Sequence, residues 1–135
     1  MLHTPQINFY LSDVESSVTF FRDALGFEET FRTPPDGRPD HVELRFESLV
    51  LGFADIEAAR RMHGLHLESG PPSAEVVLWT DDVDHEYARL LDQGATSLSA
   101  PHVFLNRIRA AWLAGPNDER IQIVQHWTPE SAVTP

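Results

Sequence analysis

The chain has 135 residues, no Cys, and 21 acidic against 10 basic residues, which gives a net charge of -11 at pH 7. Its length suits one ordinary domain, the absence of Cys excludes disulfides and thiolate metal sites, and no apolar run approaches the ~20 residues of a membrane span. The negative charge disfavours a nucleic-acid partner and favours a neutral or cationic ligand. The absence of Cys and of a signal-peptide pattern favours a cytoplasmic protein, and without a long apolar run we expect no membrane partner.

The first predicted elements are a strand and a helix. Apolar and polar residues alternate from residue 6 to residue 11, which is typical of a half-buried strand. Ser12 is predicted to begin the helix, with Glu15 completing a capping box, and Gly26 to end it. Apolar residues recur along the helix at the spacing of one buried face: Val14, Val18, Phe21 and Leu25.

Three strands are predicted after this helix, at residues 27–32, 41–46 and 49–53. The turn-forming sequence TPPDGRPD separates the first two of them. In the middle strand, apolar residues alternate with His41, Glu43 and Arg45, so one face of the strand is buried and the other is open. The first half therefore reads strand, helix, strand, strand, strand.

The second half repeats this plan. A short helix at residues 55–65 and the linker-like sequence SGPPS at 69–73 come first. The sequence that begins at Glu75 then matches the one that begins at Gln6, at a fixed offset of 69 residues. A self-match of this kind predicts two similar modules.

The repeated module has its own helix and strands. Asp82 is predicted to cap a helix that Gly94 ends, and its apolar residues are Val83, Tyr87, Leu90 and Leu91. The predicted strands are residues 75–80, 97–103, 108–113 and 121–125. We expect a single domain over 1–135, divided into a first half at about 5–54, a linker at 55–73, a second half at about 74–127 and a tail at 128–135.

The predicted fold class is α+β, with two tandem βαβββ modules whose sheets curve into an open barrel around a cavity. In each opening strand, one set of alternating residues packs under the helix, and the other set lines the cavity. The cavity-lining sets are Gln6, Asn8 and Tyr10 in the first half, and Glu75, Val77 and Trp79 in the second. Polar groups combined with aromatic rings are typical of a small-molecule site.

Three motifs carry a family resemblance: FFRDALGF at residues 20–27, TDDVD at 80–84 and GPNDERIQIVQ at 115–125. Together with the repeated halves, they resemble the vicinal oxygen chelate superfamily, which includes glyoxalase I, bleomycin-resistance proteins and extradiol dioxygenases. The resemblance covers residues 5–127. It implies paired βαβββ modules, usually assembled as homodimers.

The resemblance also implies where a metal ion would bind. Metal-dependent members place ligands at the start of the first strand and in the last strand of each half, which here gives Gln6, Glu75 and Gln122; the fourth position, in 49–53, offers no ligand. One carboxylate and two neutral amides hold Zn²⁺ or Ni²⁺ poorly. Mg²⁺ or Mn²⁺ would need water or substrate to complete its shell. We therefore expect no cofactor, and a divalent metal is the alternative.

Other residues are candidates for contacts with a ligand. Glu75 is the candidate catalytic base, because a carboxylate that is isolated among apolar neighbours would have a raised pKa. His126 lies on the face of Gln122. The predicted ligand-binding residues are Gln6, Asn8, Tyr10, His41, Glu75, Trp79, His102, Trp112 and Gln122.

Three functions fit these features. The first is a metal-independent protein that binds an aromatic or cationic small molecule, as the bleomycin-resistance resemblance implies. The second is a metal-dependent lyase, isomerase or dioxygenase that uses Gln6, Glu75 and Gln122. The third is a non-catalytic dimer with a structural or regulatory role. Whether the protein is an enzyme stays open at this point.

Overall fold

A computed structural model describes residue 1 and residues 4–130 of the chain, so residues 131–135 of the predicted tail lie outside the described part. Eight strands and three helices lie along the described residues. In chain order they are β1 (Ile7–Leu11), α1 (Val14–Asp23), β2 (Glu28–Thr33), β3 (His41–Phe46), β4 (Leu49–Asp55), α2 (Ile56–His63), β5 (Glu75–Trp79), α3 (Val83–Asp92), β6 (Thr96–Phe104), β7 (Ile108–Ala114) and β8 (Arg120–His126).

The elements form two compact units, divided between Pro72 and Ser73. The sheet of the first unit has the strand order β1-β4-β3-β2, and the sheet of the second has the order β5-β8-β7-β6. In each sheet the first strand of the unit runs parallel to the last, and the other pairs are antiparallel. The predicted α+β fold with two βαβββ modules is confirmed.

The core of the first unit lies between α1 and its sheet. Phe21 of α1 packs edge-on against Phe53 of β4, with 4.9 Å between the ring centroids, and this is a favourable aromatic geometry. Phe9 and Leu11 of β1 are buried as predicted, but Ile7 on the same face is 50% exposed. The predicted apolar face of α1 is buried at all four positions: Val14, Val18, Phe21 and Leu25.

The second unit has the same arrangement around α3. Val83 and Leu90 of α3 are buried, whereas Leu91 is exposed and Tyr87 donates a hydrogen bond from its hydroxyl to Ser97. The buried residues of the two central strands are Ala110, Ala111, Leu113, Ala114, Ile121, Ile123 and Val124. Of these, Ala111, Leu113, Ile121 and Ile123 share one face of the sheet, and Ala110 and Val124 share the other.

The start of α1 corrects the sequence prediction. Asp13, and not Ser12, caps the helix, because the Asp13 carboxylate accepts the backbone N–H of Ser16 at 3.3 Å. The carbonyl oxygen of Ser12 instead accepts from the guanidinium of Arg38 at 3.4 Å. Asp82 caps α3 in the same way, as predicted, accepting from the N–H of His85 at 3.1 Å. The caps therefore follow the internal repeat.

The other element bounds lie close to their predictions. β4 continues to Asp55, whose carboxylate caps α2 by accepting from the N–H of Ala58 at 2.9 Å. Asp118, in the turn before β8, has a φ of 61°, a left-handed conformation that Asp tolerates. No helix in the described part of the chain has the length and apolar character needed to cross a bilayer.

Candidate functional site

The face of the first sheet that points away from α1 is polar. Asn8 of β1 lies opposite Gly52 of β4, and Gly52 lies opposite Glu43 of β3. Tyr10 and His41 both lie opposite Ala54, one strand position further along. The register therefore brings the predicted residues Asn8, Tyr10 and His41 to one face, with Gln6 directly before β1.

Four side chains on this face form one hydrogen-bonded network, which we call the Glu43 cluster: Gln6, Asn8, His41 and Glu43. The amide nitrogen Nε2 of Gln6 donates to Oδ1 of Asn8 at 2.9 Å and to Oε2 of Glu43 at 3.1 Å. Nε2 of His41 lies 3.0 Å from the same Glu43 oxygen. Glu43, which was not among the predicted site residues, therefore joins the network together.

Gly52 makes room for this network. A Cβ atom built on Gly52 would lie 2.1 Å from Oδ1 of Asn8 and 2.9 Å from Cε1 of His41. Real Cβ atoms do not approach other atoms so closely, so any other residue here would displace Asn8 or His41. A glycine inside a strand often marks such a close approach, and the Glu43 cluster is packed over this one.

The charges in the cluster follow from its hydrogen bonds. The hydrogen bond from His41, followed by the one from Gln6, lowers the pKa of Glu43 although partial burial opposes the shift. Glu43 is therefore a carboxylate at neutral pH, and a carboxylate only accepts hydrogen bonds. It follows that Nε2 of His41 carries a hydrogen in this contact, and that Nδ1 is the acceptor when the ring is neutral.

The corresponding face of the second sheet carries aromatic rings. Trp79 of β5 lies opposite Val124 of β8, Val124 opposite Ala110 of β7, and Ala110 opposite His102 of β6. Val124 and Ala110 in the middle of this row are buried, whereas Trp79 and His102 at its ends are exposed, so the solvent-exposed side chains in this row are rings. We call this face the aromatic face, and its rings belong to Trp79, His102, Phe104, Trp112 and His126.

These rings stack in two groups. The rings of Trp79 and His126 are stacked, with centroids 4.5 Å apart and an angle of 27° between their planes. His102 stacks on Trp112 with a centroid distance of 5.8 Å, and Phe104 lies 6.2 Å from Trp112. Trp79, His102 and Trp112 were predicted as ligand-binding residues, and all three lie on this face.

Glu75 and Gln122 lie on the same side of the second sheet, but Glu75 is not isolated. The guanidinium of Arg120 donates from Nε to Oε1 of Glu75 at 2.9 Å. The expectation of an unpaired carboxylate among apolar neighbours is therefore wrong, because the parallel pairing of β5 with β8 places Arg120 directly opposite Glu75. Gln122 lies opposite both Val77 and Trp112.

The implied metal ligands do not fit a divalent ion. Gln6 is a neutral amide, and Glu75 already has the guanidinium of Arg120 as its partner. The remaining ligand, Gln122, is a neutral amide, which binds Zn²⁺ or Ni²⁺ weakly. Within residue 1 and residues 4–130 there is no group of three or more His, Asp or Glu side chains placed to hold a metal ion.

Sequence reasoning missed three residues that shape these faces: Glu43, Gly52 and Arg120. The alternation in β3 already placed Glu43 beside His41, so that signal was available. A glycine within an apolar strand was a second signal, since it indicates close packing. Nothing in the sequence predicts the ion pair of Arg120, because it depends on the register between two strands that are far apart in the chain.

Comparison with known proteins agrees with this fold. The family profile of the Glyoxalase/Bleomycin resistance protein/Dioxygenase superfamily matches residues 3–123. A search of curated proteins by sequence found no significant match.

Solved structures of this superfamily have the same fold. A glyoxalase/bleomycin resistance protein/dioxygenase from Nocardioides aligns with a TM-score of 0.74 and 21% identity, over 96% of this chain and 85% of that one. An antibiotic binding protein from Streptomyces aligns with a TM-score of 0.66 and 22% identity, over 94% and 98%. A lactoylglutathione lyase from Agrobacterium tumefaciens aligns with a TM-score of 0.67 and 16% identity, over 90% and 92%. At these identities the likeness shows the fold alone.

Proposed function

Because the chain belongs to the Glyoxalase/Bleomycin resistance protein/Dioxygenase superfamily, we propose that it is a binding protein for a small, flat, neutral or cationic aromatic molecule. The aromatic face of the second sheet holds this molecule, and no metal ion takes part. One protein of the same fold is an antibiotic binding protein, and a drug-like aromatic ligand is consistent with that likeness.

The exposure of Trp79 is the observation that carries this proposal. Its side chain is 58% exposed although Trp is among the residues that gain most from burial. His126 covers one part of the ring by stacking, and the rest faces solvent. A flat ligand that stacks on this ring removes the apolar surface from water, and stacked aromatic pairs add about 0.5–1.5 kcal/mol beyond that burial.

The charge of the protein favours a cationic ligand over an anionic one. The net charge of -11 attracts cations over a long range at low ionic strength. The faces of Trp rings are also electron-rich, so a cation placed above them is attracted by roughly 0.5–2 kcal/mol. Both effects act against anionic aromatic molecules of the same shape.

The pairing of Glu75 with Arg120 supports binding without a metal. The carboxylate has a cationic partner at 2.9 Å, so a metal ion would have to displace a guanidinium to reach it. The lactoylglutathione lyase with this fold represents the alternative, a metal-dependent enzyme that uses Gln6, Glu75 and Gln122.

The proposal is tested by titrating the protein with a planar cationic dye such as proflavine, and with an anionic dye of similar size, with and without EDTA. We expect binding of the cationic dye to quench Trp fluorescence and to be unaffected by EDTA. Trp79→Ala should weaken binding about tenfold, which corresponds to about 1.4 kcal/mol.

The matched control is Leu105→Ala, which removes a more exposed apolar side chain of the same unit, outside the aromatic face. Equal affinities of the wild type and Trp79→Ala for the dye would exclude the aromatic face as the site. Binding that is lost in EDTA and restored by a divalent ion would favour the metal-dependent alternative.

A further inference from the structure

We infer that the Glu43 cluster on the first sheet is a second binding site, and that it takes a cationic nitrogen group such as an amidinium or guanidinium. All four of its side chains lie within the first unit. Its four side chains are positioned by one another and by the missing Cβ of Gly52.

The cluster has more free acceptors than free donors. The Gln6 amide nitrogen donates to Asn8 and Glu43, and Nε2 of His41 donates to the same Glu43 oxygen. Among the described residues, no side chain or backbone group donates to Oε1 of Glu43, to Oε1 of Gln6 or to Nδ1 of a neutral His41. A ligand that complements this arrangement must therefore supply several N–H groups.

The charge of the cluster is also unbalanced. Arg45 lies on the same strand face as Glu43, but its guanidinium is directed to Glu28 of β2, at 3.9 Å. Among the described residues, no Arg side chain forms an ion pair with Glu43. A planar cation that donates two hydrogen bonds to a carboxylate is a strong partner for such a group.

An exposed ring lies beside this carboxylate. Phe31 of β2 is directly opposite Glu43, its side chain is 49% exposed, and its ring centroid is 6.3 Å from that of His41. A cation bound at Glu43 would lie near the face or edge of this ring, and contact with the face adds attraction. In the second unit, by contrast, Arg120 already provides the cation for Glu75.

The test uses acetamidinium chloride as the probe, followed by the side-chain amide signals of Gln6 and Asn8 in ¹⁵N-labelled protein. We expect these two signals to shift with an affinity on the order of millimolar, which is reasonable for so small a probe. Acetamide has the same shape without the charge, and should leave both signals in place. Glu43→Gln keeps acceptor oxygen for Gln6 and His41 but removes the charge, so it should weaken binding at least tenfold.

The matched control is Glu47→Gln, which removes the same charge from an exposed side chain in the turn between β3 and β4. It should leave the affinity for acetamidinium within about twofold of wild type, because exposed charges are well screened. Equal losses in the two variants would show a general charge effect and overturn the inference.

Gly52→Ala gives a second, independent test. Its Cβ would push the exposed Asn8 side chain out of the cluster and would press on the ring of His41. The Asn8 signal should then no longer respond to the probe. A cluster that instead binds Zn²⁺ more tightly than acetamidinium, with Gln6 and Asn8 signals shifting together, would replace the inferred ligand with a metal ion.

Discussion

Arg120 and Glu75 face each other across the parallel pair of strands β5 and β8, with 2.9 Å between Nε and Oε1. This ion pair involves the carboxylate that the sequence placed at the centre of both the catalytic and the metal hypotheses. A carboxylate that already accepts from a guanidinium is a poorer metal ligand than a free one. Ligand binding at the second sheet is therefore better explained by its aromatic rings than by the Glu75 carboxylate.

The first prediction concerns the metal content of protein purified without chelator, and it follows from this ion pair. We expect less than one equivalent of Zn²⁺, Ni²⁺ or Mn²⁺ in the wild type, and the same content in Glu75→Ala and Gln122→Ala. Elemental analysis by mass spectrometry makes the measurement, with Glu28→Ala as a control for loss of a surface carboxylate. A full equivalent of metal that disappears in Glu75→Ala and Gln122→Ala but stays in Glu28→Ala would contradict the metal-independent proposal.

Residues that lie opposite one another on neighbouring strands form a row across each sheet, and corresponding rows of the two sheets carry different side chains. In the first sheet one row reads Asn8, Gly52, Glu43, and the corresponding row of the second reads Val77, Gln122, Trp112. The repeat has thus preserved the strand order and the buried faces while changing the other faces. One sheet offers hydrogen-bonding groups and the other offers rings.

The helix caps provide a second prediction. Asp13→Ala and Asp82→Ala should each lower the free energy of unfolding by about 1 kcal/mol, because each removes a side-chain acceptor for a backbone N–H in the first helical turn. Ser12→Ala should change it by less than about 0.5 kcal/mol, as expected for a residue that does not cap. Urea denaturation of the three variants measures these differences, and a larger effect for Ser12→Ala than for Asp13→Ala would return the cap to Ser12.

The fold could be predicted from the sequence because the two halves of the chain carry the same local patterns of strands and helices. The alternation in the strands, the apolar spacing of α1 and the glycines that end the helices were local features, and the 69-residue offset supplied the overall plan. Ser12 was the local error, since it and Asp13 are both good caps and only the backbone conformation distinguishes them.

The chemistry of the two faces was harder to predict than the fold. The alternation along the strands predicted which face of its sheet each of His41, Trp79 and Trp112 occupies. It did not predict which side chains pair with one another by hydrogen bonds or ion pairs. Partners such as Glu43 for Gln6, or Arg120 for Glu75, depend on which residue lies opposite on a neighbouring strand. That register comes from strands that are tens of residues apart, and a single sequence contains no direct signal for it.

The core of the first unit gives a third prediction. Phe53→Ala should destabilise the protein by about 3–5 kcal/mol, because it removes a fully buried ring that packs against Phe9 and Phe21. Leu98→Ala, at an exposed site in β6, should change the stability by no more than about 0.5 kcal/mol. Thermal and urea unfolding test both. A loss below about 1 kcal/mol for Phe53→Ala would mean that this ring layer is not the core of the unit.

The ion pair between Arg109 and Asp84 gives the last prediction, on pH dependence. Two hydrogen bonds of 2.7 and 2.8 Å join the guanidinium on β7 to the carboxylate in the first turn of α3, and they lower the pKa of Asp84. A lowered pKa means that this contribution to stability is fully present above the unfolded-state pKa of ~3.9, and is lost as the pH falls through the folded-state pKa.

Arg109→Gln should therefore cost about 0.5–1 kcal/mol near neutral pH, a modest amount because the Asp84 side chain is well exposed and solvent screens the pair. The difference from wild type should shrink as Asp84 becomes protonated below about pH 4, and it should also shrink in high salt. Arg89→Gln is the control, since Arg89 pairs with Glu86 of the same helix, α3. Urea unfolding over a range of pH makes the comparison. A difference for Arg109→Gln that persists unchanged at low pH and high salt would assign the stabilisation to packing of the Arg109 side chain, since neither acid nor salt removes an apolar contact.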